Sequence, residues 1–167
     1  FEAHEIVTKL MDHHQENPNT KGVFIDEEIT LTQGITVPQN TVFKGLKDKI
    51  SIRLDLNDTT AYGITVGDQT ATYNTGISLR DLRIEAVSGA KAAIYALTSL
   101  EEEWLNIAIV SEESDQNLLY GIYEPLFNFR SIQREISNLY ISGARTGWFT
   151  TCQSTSRLEN VSMRRDL

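Results

Sequence analysis

Leu79-Arg80-Asp81-Leu82-Arg83-Ile84 sets a six-residue pattern: apolar, any, Asn or Asp, apolar, any, apolar. It returns as Trp104-Leu105-Asn106-Ile107-Ala108-Ile109, Ile136-Ser137-Asn138-Leu139-Tyr140-Ile141 and Leu158-Glu159-Asn160-Val161-Ser162-Met163. The polar residues stand at 81, 106, 138 and 160, so the steps are 25, 32 and 22 residues. Repeats of this length mark a solenoid, in which each copy is one coil stacked on the last. Two apolar residues one apart, such as Leu82 and Ile84, make a strand with one buried face. The apolar residue ahead of the Asn or Asp is three positions from the next one. Strict alternation would put those two on opposite faces, so both point inward only if the chain turns between them. Asn and Asp tolerate left-handed backbone better than other non-glycine residues. The polar residue is therefore expected at a corner between two short strands, and stacked corners as a ladder along the coil.

A second repeat interleaves with the first. It places a small residue before an apolar strand: Gly63-Ile64-Thr65-Val66, Ala93-Ile94-Tyr95-Ala96, Gly121-Ile122-Tyr123-Glu124 and Gly147-Trp148-Phe149-Thr150, at steps of 30, 28 and 26. Two ladders with connections of variable length suit β-coils, where extra residues bulge out as loops. Helical repeats keep a fixed length. Val, Ile, Tyr, Thr and Phe also favour pleated surfaces.

The chain has 167 residues, enough for one sizeable core, and is read as a single domain: residues 1–20 a capping helix, residues 21–167 coils. Apolar residues are 40% and charged residues 23%, as in ordinary globular chains. No apolar run reaches the ~18 residues of a membrane span. A net charge of −8 disfavours nucleic acid and anionic membrane surfaces as partners. The single cysteine, Cys152, has no partner for an internal disulfide. The chain opens on Phe1 without a signal segment, and its last repeat copy ends at Met163 with no closing cap. It is expected to be a fragment of a longer chain.

Residues 2 to about 15 read as an amphipathic helix, with Ala3, Ile6, Val7, Leu10, Met11 and His14 at helical spacing and Asn17-Pro18-Asn19 as its stop. A solenoid needs its first coil covered, and this helix is placed to be the lid. Val23-Phe24-Ile25, Ile29-Thr30-Leu31, Ile35-Thr36-Val37, Thr41-Val42-Phe43 and Ile50 to Leu54 read as strands, punctuated by Gly34, Pro38-Gln39-Asn40 and Gly45. Short strands so spaced also fit a sandwich or barrel; the downstream repeats favour a coil. Residues 57–61, 67–75, 112–118 and 125–131 read as loops.

The helix, then Lys21-Gly22-Val23-Phe24-Ile25, then Ile29 through Gly45 with its Lys44-Gly45 step, resembles the opening of the pectate-lyase-like superfamily of right-handed parallel β-helices. The resemblance covers almost the whole chain. It departs at Ile25-Asp26-Glu27-Glu28, where the family often carries Pro-x-Gly. It implies an all-β, right-handed parallel β-helix of about five coils with an N-terminal capping helix, and a polysaccharide setting. Members include phage tailspikes and appendages, polysaccharide lyases and glycoside hydrolases. Tailspike-like coils imply a homotrimer and other virion proteins as partners, in a virion or extracellular location.

The sequence has no phosphate-cradling loop, GxSxG elbow or HExxH. His4, His13 and His14 all fall in the helix and do not form a ligand set. No cofactor or metal is expected. In the second ladder the outward positions are Thr65, Tyr95, Tyr123 and Phe149. Neighbouring strands lie roughly 4.8 Å apart, so Tyr95, Tyr123 and Phe149 are expected to stack as an aromatic stripe. Such a stripe is either a carbohydrate-binding platform for the apolar faces of sugar rings or is covered by a loop or subunit. The other outward file, Arg83, Ala108, Tyr140 and Ser162, has no repeated chemistry. Glycoside hydrolysis uses carboxylate pairs at roughly 5 Å or 6.5–9.5 Å, which adjacent coils can supply. The candidates are Glu85, then Glu112, Glu113 and Asp115 one coil later, with Arg80 and Arg83 near enough to stabilise charge. Glu101-Glu102-Glu103 reads as a solvated loop. The functional expectation is a virion appendage segment that contacts cell-surface polysaccharide. The alternatives are an extracellular polysaccharide lyase or glycoside hydrolase, and a purely architectural module.

Overall fold

The computed structural model describes residues 1–111, 117–125, 131–151 and 153–164. It is an all-β parallel solenoid with a single N-terminal helix among the described residues. The helix is α1 (Ala3–Glu16). The first circuit holds β1 (Val23–Phe24), β2 (Ile29–Leu31) and β3 (Ile35–Val37); the second holds β4 (Val42–Lys44), β5 (Ile52–Leu54) and β6 (Asp58–Val66). Then follow β7 (Ser78–Ala86) and β8 (Ala90–Ala96), β9 (Leu100–Ser111) and β10 (Leu118–Glu124), β11 (Ser131–Ser142) and β12 (Thr146–Thr150), and β13 (Gln153–Arg164). The larger sheet climbs β1-β4-β7-β9-β11-β13, with β2 and β5 branching beside β7; the smaller climbs β3-β6-β8-β10-β12. Every strand pairing among the described residues is parallel.

The corner residues behave as their chemistry demands. Asp81, Asn106, Asn138 and Asn160 have φ of 53°, 58°, 57° and 53°, all left-handed. Strands β7, β9, β11 and β13 each run through this corner, which turns the two flanking apolar residues to the same side. Leu79 and Leu82, Trp104 and Ile107, and Ile136 and Leu139 are all at most 1% exposed. The polar side chains stack: Asn106 Nδ2 donates to Asp81 Oδ1 at 2.9 Å, and Asn160 Nδ2 to Asn138 Oδ1 at 2.7 Å. Register places Phe43, Leu79, Trp104, Ile136 and Leu158 in one inward column, and Ile52, Ile84, Ile109, Ile141 and Met163 in another. In the last copy Leu158 and Met163 are 50% and 45% exposed, since β13 is the top described strand.

A second left-handed ladder went unread in the sequence. Register aligns Val42, Ser78, Glu103 and Glu135, so the residues two earlier are Asn40, Gly76, Glu101 and Gln133. Their φ values are 56°, 69°, 59° and 56°. Four different residue types hide one geometric requirement. A Cβ on Gly76 would lie 2.5 Å from Asn40 Oδ1, so this rung accepts only glycine without a shift. Glu101-Glu102-Glu103 is accordingly not a loop: it opens β9, with Glu102 buried between two exposed neighbours. Likewise Asp58 to Ala61, read as loop, begins β6.

Between Lys44 and Ile52 the chain spends residues 45–51 where the next coil, between Arg80 and Ile84, needs only residues 81–83. The surplus leaves the ladder undisturbed on both sides.

The helix lies across the first coil as expected. Val7, Met11 and His14 are buried, and the His14 ring joins the cap to the coil by donating Nε2–H to the Asn40 carbonyl at 3.0 Å. Ile6 and Leu10 do not join the seal. They are 48% and 45% exposed, because helical spacing turns them toward the rim near Phe24 and away from the coil interior.

One cluster breaks the apolar interior. Glu102, Glu124 and Arg134 are each at most 1% exposed. Arg134 pairs with Glu124 and lies 3.5 Å from Glu102 Oε1, while the Trp104 indole N–H donates to Glu102. The Arg134 guanidinium also sits 4.9 Å from the Trp104 ring centroid. Two carboxylates share one cation, and burial raises the Glu102 carboxyl above the ordinary range despite Arg134.

Two expectations follow from this packing. Asn106→Ala loses the stacking hydrogen bond and puts a Cβ residue without a compensating amide at φ 58°, a cost of about 2 kcal/mol in urea unfolding. Asn106→Gly should recover part of it, and equal losses would contradict the strained-corner account. Glu102 has its folded pKa raised, so its stabilising contribution is complete below the ordinary value of 4.5 and is lost as pH rises through the folded value. Glu102→Gln should therefore flatten the stability profile above about pH 4.5, measured by denaturation across pH; an unchanged slope would mean that Glu102 is ionised throughout.

Candidate functional site

The outer face of the smaller sheet carries the aromatic stripe. Thr65, Tyr95, Tyr123 and Phe149 are in direct register across β6, β8, β10 and β12. Tyr95 and Tyr123 stack at 5.9 Å between centroids, and Tyr123 and Phe149 at 5.3 Å, with interplanar angles of 23° and 21°. The stack exists because the preceding small residues let the sheets close. A Cβ on Gly121 would stand 2.7 Å from the Ile141 side chain on the facing sheet, and Gly121 and Ile122 are both buried, so in–out alternation breaks at the glycine.

Two rings escaped the sequence reading. Tyr62 and Tyr120 lie three residues before Thr65 and Tyr123, across Gly63 and Gly121. Strict alternation places positions three apart on opposite faces, but the glycine bend returns them to one. Tyr62 stacks on Tyr95 at 4.0 Å, and Tyr120 meets Tyr123 at 4.8 Å and Phe149 at 5.7 Å. Their file holds Ala92 between them, which leaves room for both rings. An aromatic three positions ahead of a ladder residue, with glycine next, was the available signal.

The geometry changes what the stripe can offer. Parallel rings at 4.0–5.9 Å largely cover one another's faces, so the ladder turns edges and hydroxyls outward. Tyr95 is only 6% exposed, closed in by Tyr62 and by the 67–75 loop, from which Gln69 Nε2 donates to its hydroxyl at 3.4 Å. Burial first, then the neighbouring Tyr62, pushes the Tyr95 phenol up to about 12. Tyr62, Tyr120, Tyr123 and Phe149 remain half-buried. Phe149 ends the ladder, with no further ring beyond it among the described residues. Lys91 completes the face, its Nζ 4.8 Å from the Tyr123 centroid and 5.4 Å from that of Tyr62. A hydrogen bond to the Tyr62 hydroxyl is the largest cause of its raised pKa.

Of the carboxylate candidates, Glu85 alone is among the described residues. Glu85 is 6% exposed and accepts from Arg53 at 2.9 Å, while Arg53 also reaches Glu28 at 2.6 Å. It is a rung of an ion-pair column, not an open acid. Glu112, Glu113 and Asp115 lie outside the described residues, as does Cys152. Arg80 is occupied by Ser78 and Glu103, at 2.9 and 3.0 Å. Arg83 is exposed in register with Ala108, Tyr140 and Ser162. A hollow of about 350 Å³ is lined by Glu101, Glu102, Glu103, Gln133 and Glu135. Among the described residues no three acidic, histidine or cysteine side chains could together hold a metal ion.

No family model matches the chain, and no curated protein or solved structure shows a significant similarity to it.

Proposed function

We propose that this chain is a stiff β-solenoid segment of a virion appendage, of the phage tailspike kind, that contacts cell-surface polysaccharide through the outer face of its smaller sheet. The observation that carries the proposal is the half-buried ring cluster Tyr62, Tyr120, Tyr123 and Phe149 with Lys91 among it. Rigid aromatic edges, phenol hydroxyls and an ammonium in one plane offer apolar contact and hydrogen bonding at small conformational cost. Saccharides present C–H surfaces alternating with hydroxyls and match that mixture. The setting is supported by the helix-to-Gly45 resemblance noted in the sequence, and trimeric assembly belongs to the same proposal. An enzymatic reading finds less support, since Glu85 is committed to Arg53.

Binding to immobilised capsular and cell-wall polysaccharides tests the proposal. Tyr120→Ala and Tyr123→Ala should each weaken binding about tenfold, or ~1.4 kcal/mol, with thermal unfolding little changed. Tyr95→Ala should instead lower stability by about 3 kcal/mol, because a buried ring leaves a cavity. Unchanged binding in both the Tyr120 and Tyr123 variants would defeat the assignment. New reducing ends or ultraviolet-absorbing products would replace it with the enzymatic one.

A further inference from the structure

We propose that this same face selects carboxylate-bearing polysaccharide, with Lys91 as the group that recognises the anion. The inference rests on the carbohydrate reading above and goes beyond it by naming the charge of the ligand.

Lys91 is unusual for where it is held. It is half-buried on the outer side of β8, with its ammonium 5.4 Å from the Tyr62 ring centroid and 4.8 Å from that of Tyr123. Among the described residues, no carboxylate lies within ion-pair distance of it, in a chain with 23 acidic and 15 basic side chains. Asp58, on the neighbouring β6, is exposed and engaged within its own turn: its carboxylate accepts from the Thr60 N–H at 2.8 Å and the Thr60 hydroxyl at 2.7 Å. An ordinary surface lysine loses rotamer freedom when it captures an anion. Here the two rings already restrict the side chain, so that cost is lower. Ring faces attract the cation without neutralising it, which leaves N–H donors for a ligand carboxylate.

A second cation extends the site along the coil. Leu119 stands between Lys91 and Arg145 in register, which places Arg145 two rungs, about 10 Å, above Lys91. Arg145 is exposed. Lys91 and Arg145 thus share one strand position two rungs apart, an arrangement suited to a polymer that repeats its charge. The net charge of −8 repels any polyanion, but at physiological salt the field of distant acids decays within about 8 Å, while a direct contact with Lys91 is screened far less.

Equilibrium binding of the chain to hyaluronan, alginate and cellouronate, each beside its carboxyl-reduced form, provides the test. At least one acidic polymer should bind about tenfold tighter than its reduced partner. Lys91→Gln should bring that pair within about twofold of each other, and Lys91→Arg should keep most of the preference. Thermal melts establish that both variants fold. Equal affinity of the wild-type chain for acidic and reduced forms overturns the inference, as does a preference that survives Lys91→Gln. Binding that is lost in Tyr120→Ala yet indifferent to charge overturns this inference and leaves the carbohydrate reading intact. Absence of binding to every polymer overturns both.

Discussion

Everything in this molecule depends on two apolar side chains being turned inward across a single left-handed residue. Without that corner, Leu79 and Leu82 would lie on opposite faces of β7, and the coil would not close around a core. With it, each circuit repeats the same bend, the backbone bonds of one circuit meet those of the next, and apolar columns form by superposition. The corner is also self-propagating. An amide over a carboxylate, as with Asn106 on Asp81, rewards the neighbouring coil for turning at the same height. Stability in such a stack is a sum of nearest-neighbour terms, so local agreement between adjacent coils takes the place of a globular centre.

That dependence explains what could be read in advance. Asn and Asp are the non-glycine residues that best tolerate left-handed backbone, so the first ladder announced itself as a residue type recurring inside a fixed apolar pattern. The second ladder imposes the same backbone on Asn40, Gly76, Glu101 and Gln133. Asn40 and Gly76 suit it, but at Glu101 and Gln133 the packing of the coil overrides intrinsic preference, so no single residue type marks the ladder. The aromatic face was half legible for a similar reason. Tyr95, Tyr123 and Phe149 share a strand position, whereas Tyr62 and Tyr120 reach the same face only through a bend that alternation does not foresee. Burial of Tyr95 came from the 67–75 loop, whose path no periodicity describes.

The buried Glu102, Arg134 and Glu124 cluster stands apart from the surface chemistry. It occupies inward positions that the neighbouring coils fill with Ile77 and Ala96. Charges so placed seldom add much net stability over apolar residues of equal volume, since desolvation offsets their attraction. Their geometry is nonetheless exclusive. Only one vertical alignment of β9, β10 and β11 brings the guanidinium against both carboxylates, whereas Ile, Leu and Val columns would tolerate a slip more readily. The polar cluster reads best as a register pin within an otherwise permissive apolar stack.

The seven residues at 45–51, seated where the adjacent coil uses three, show how such a molecule can change. The axial repeat and the outward excursions are governed by separate rules: height is fixed by hydrogen bonding, girth is not. A coil can therefore acquire a new protrusion at the modest entropic expense of a longer loop, rising only with the logarithm of its length. Diversification in this architecture is sideways, with novelty grafted on the flanks while the scaffold beneath keeps its pitch.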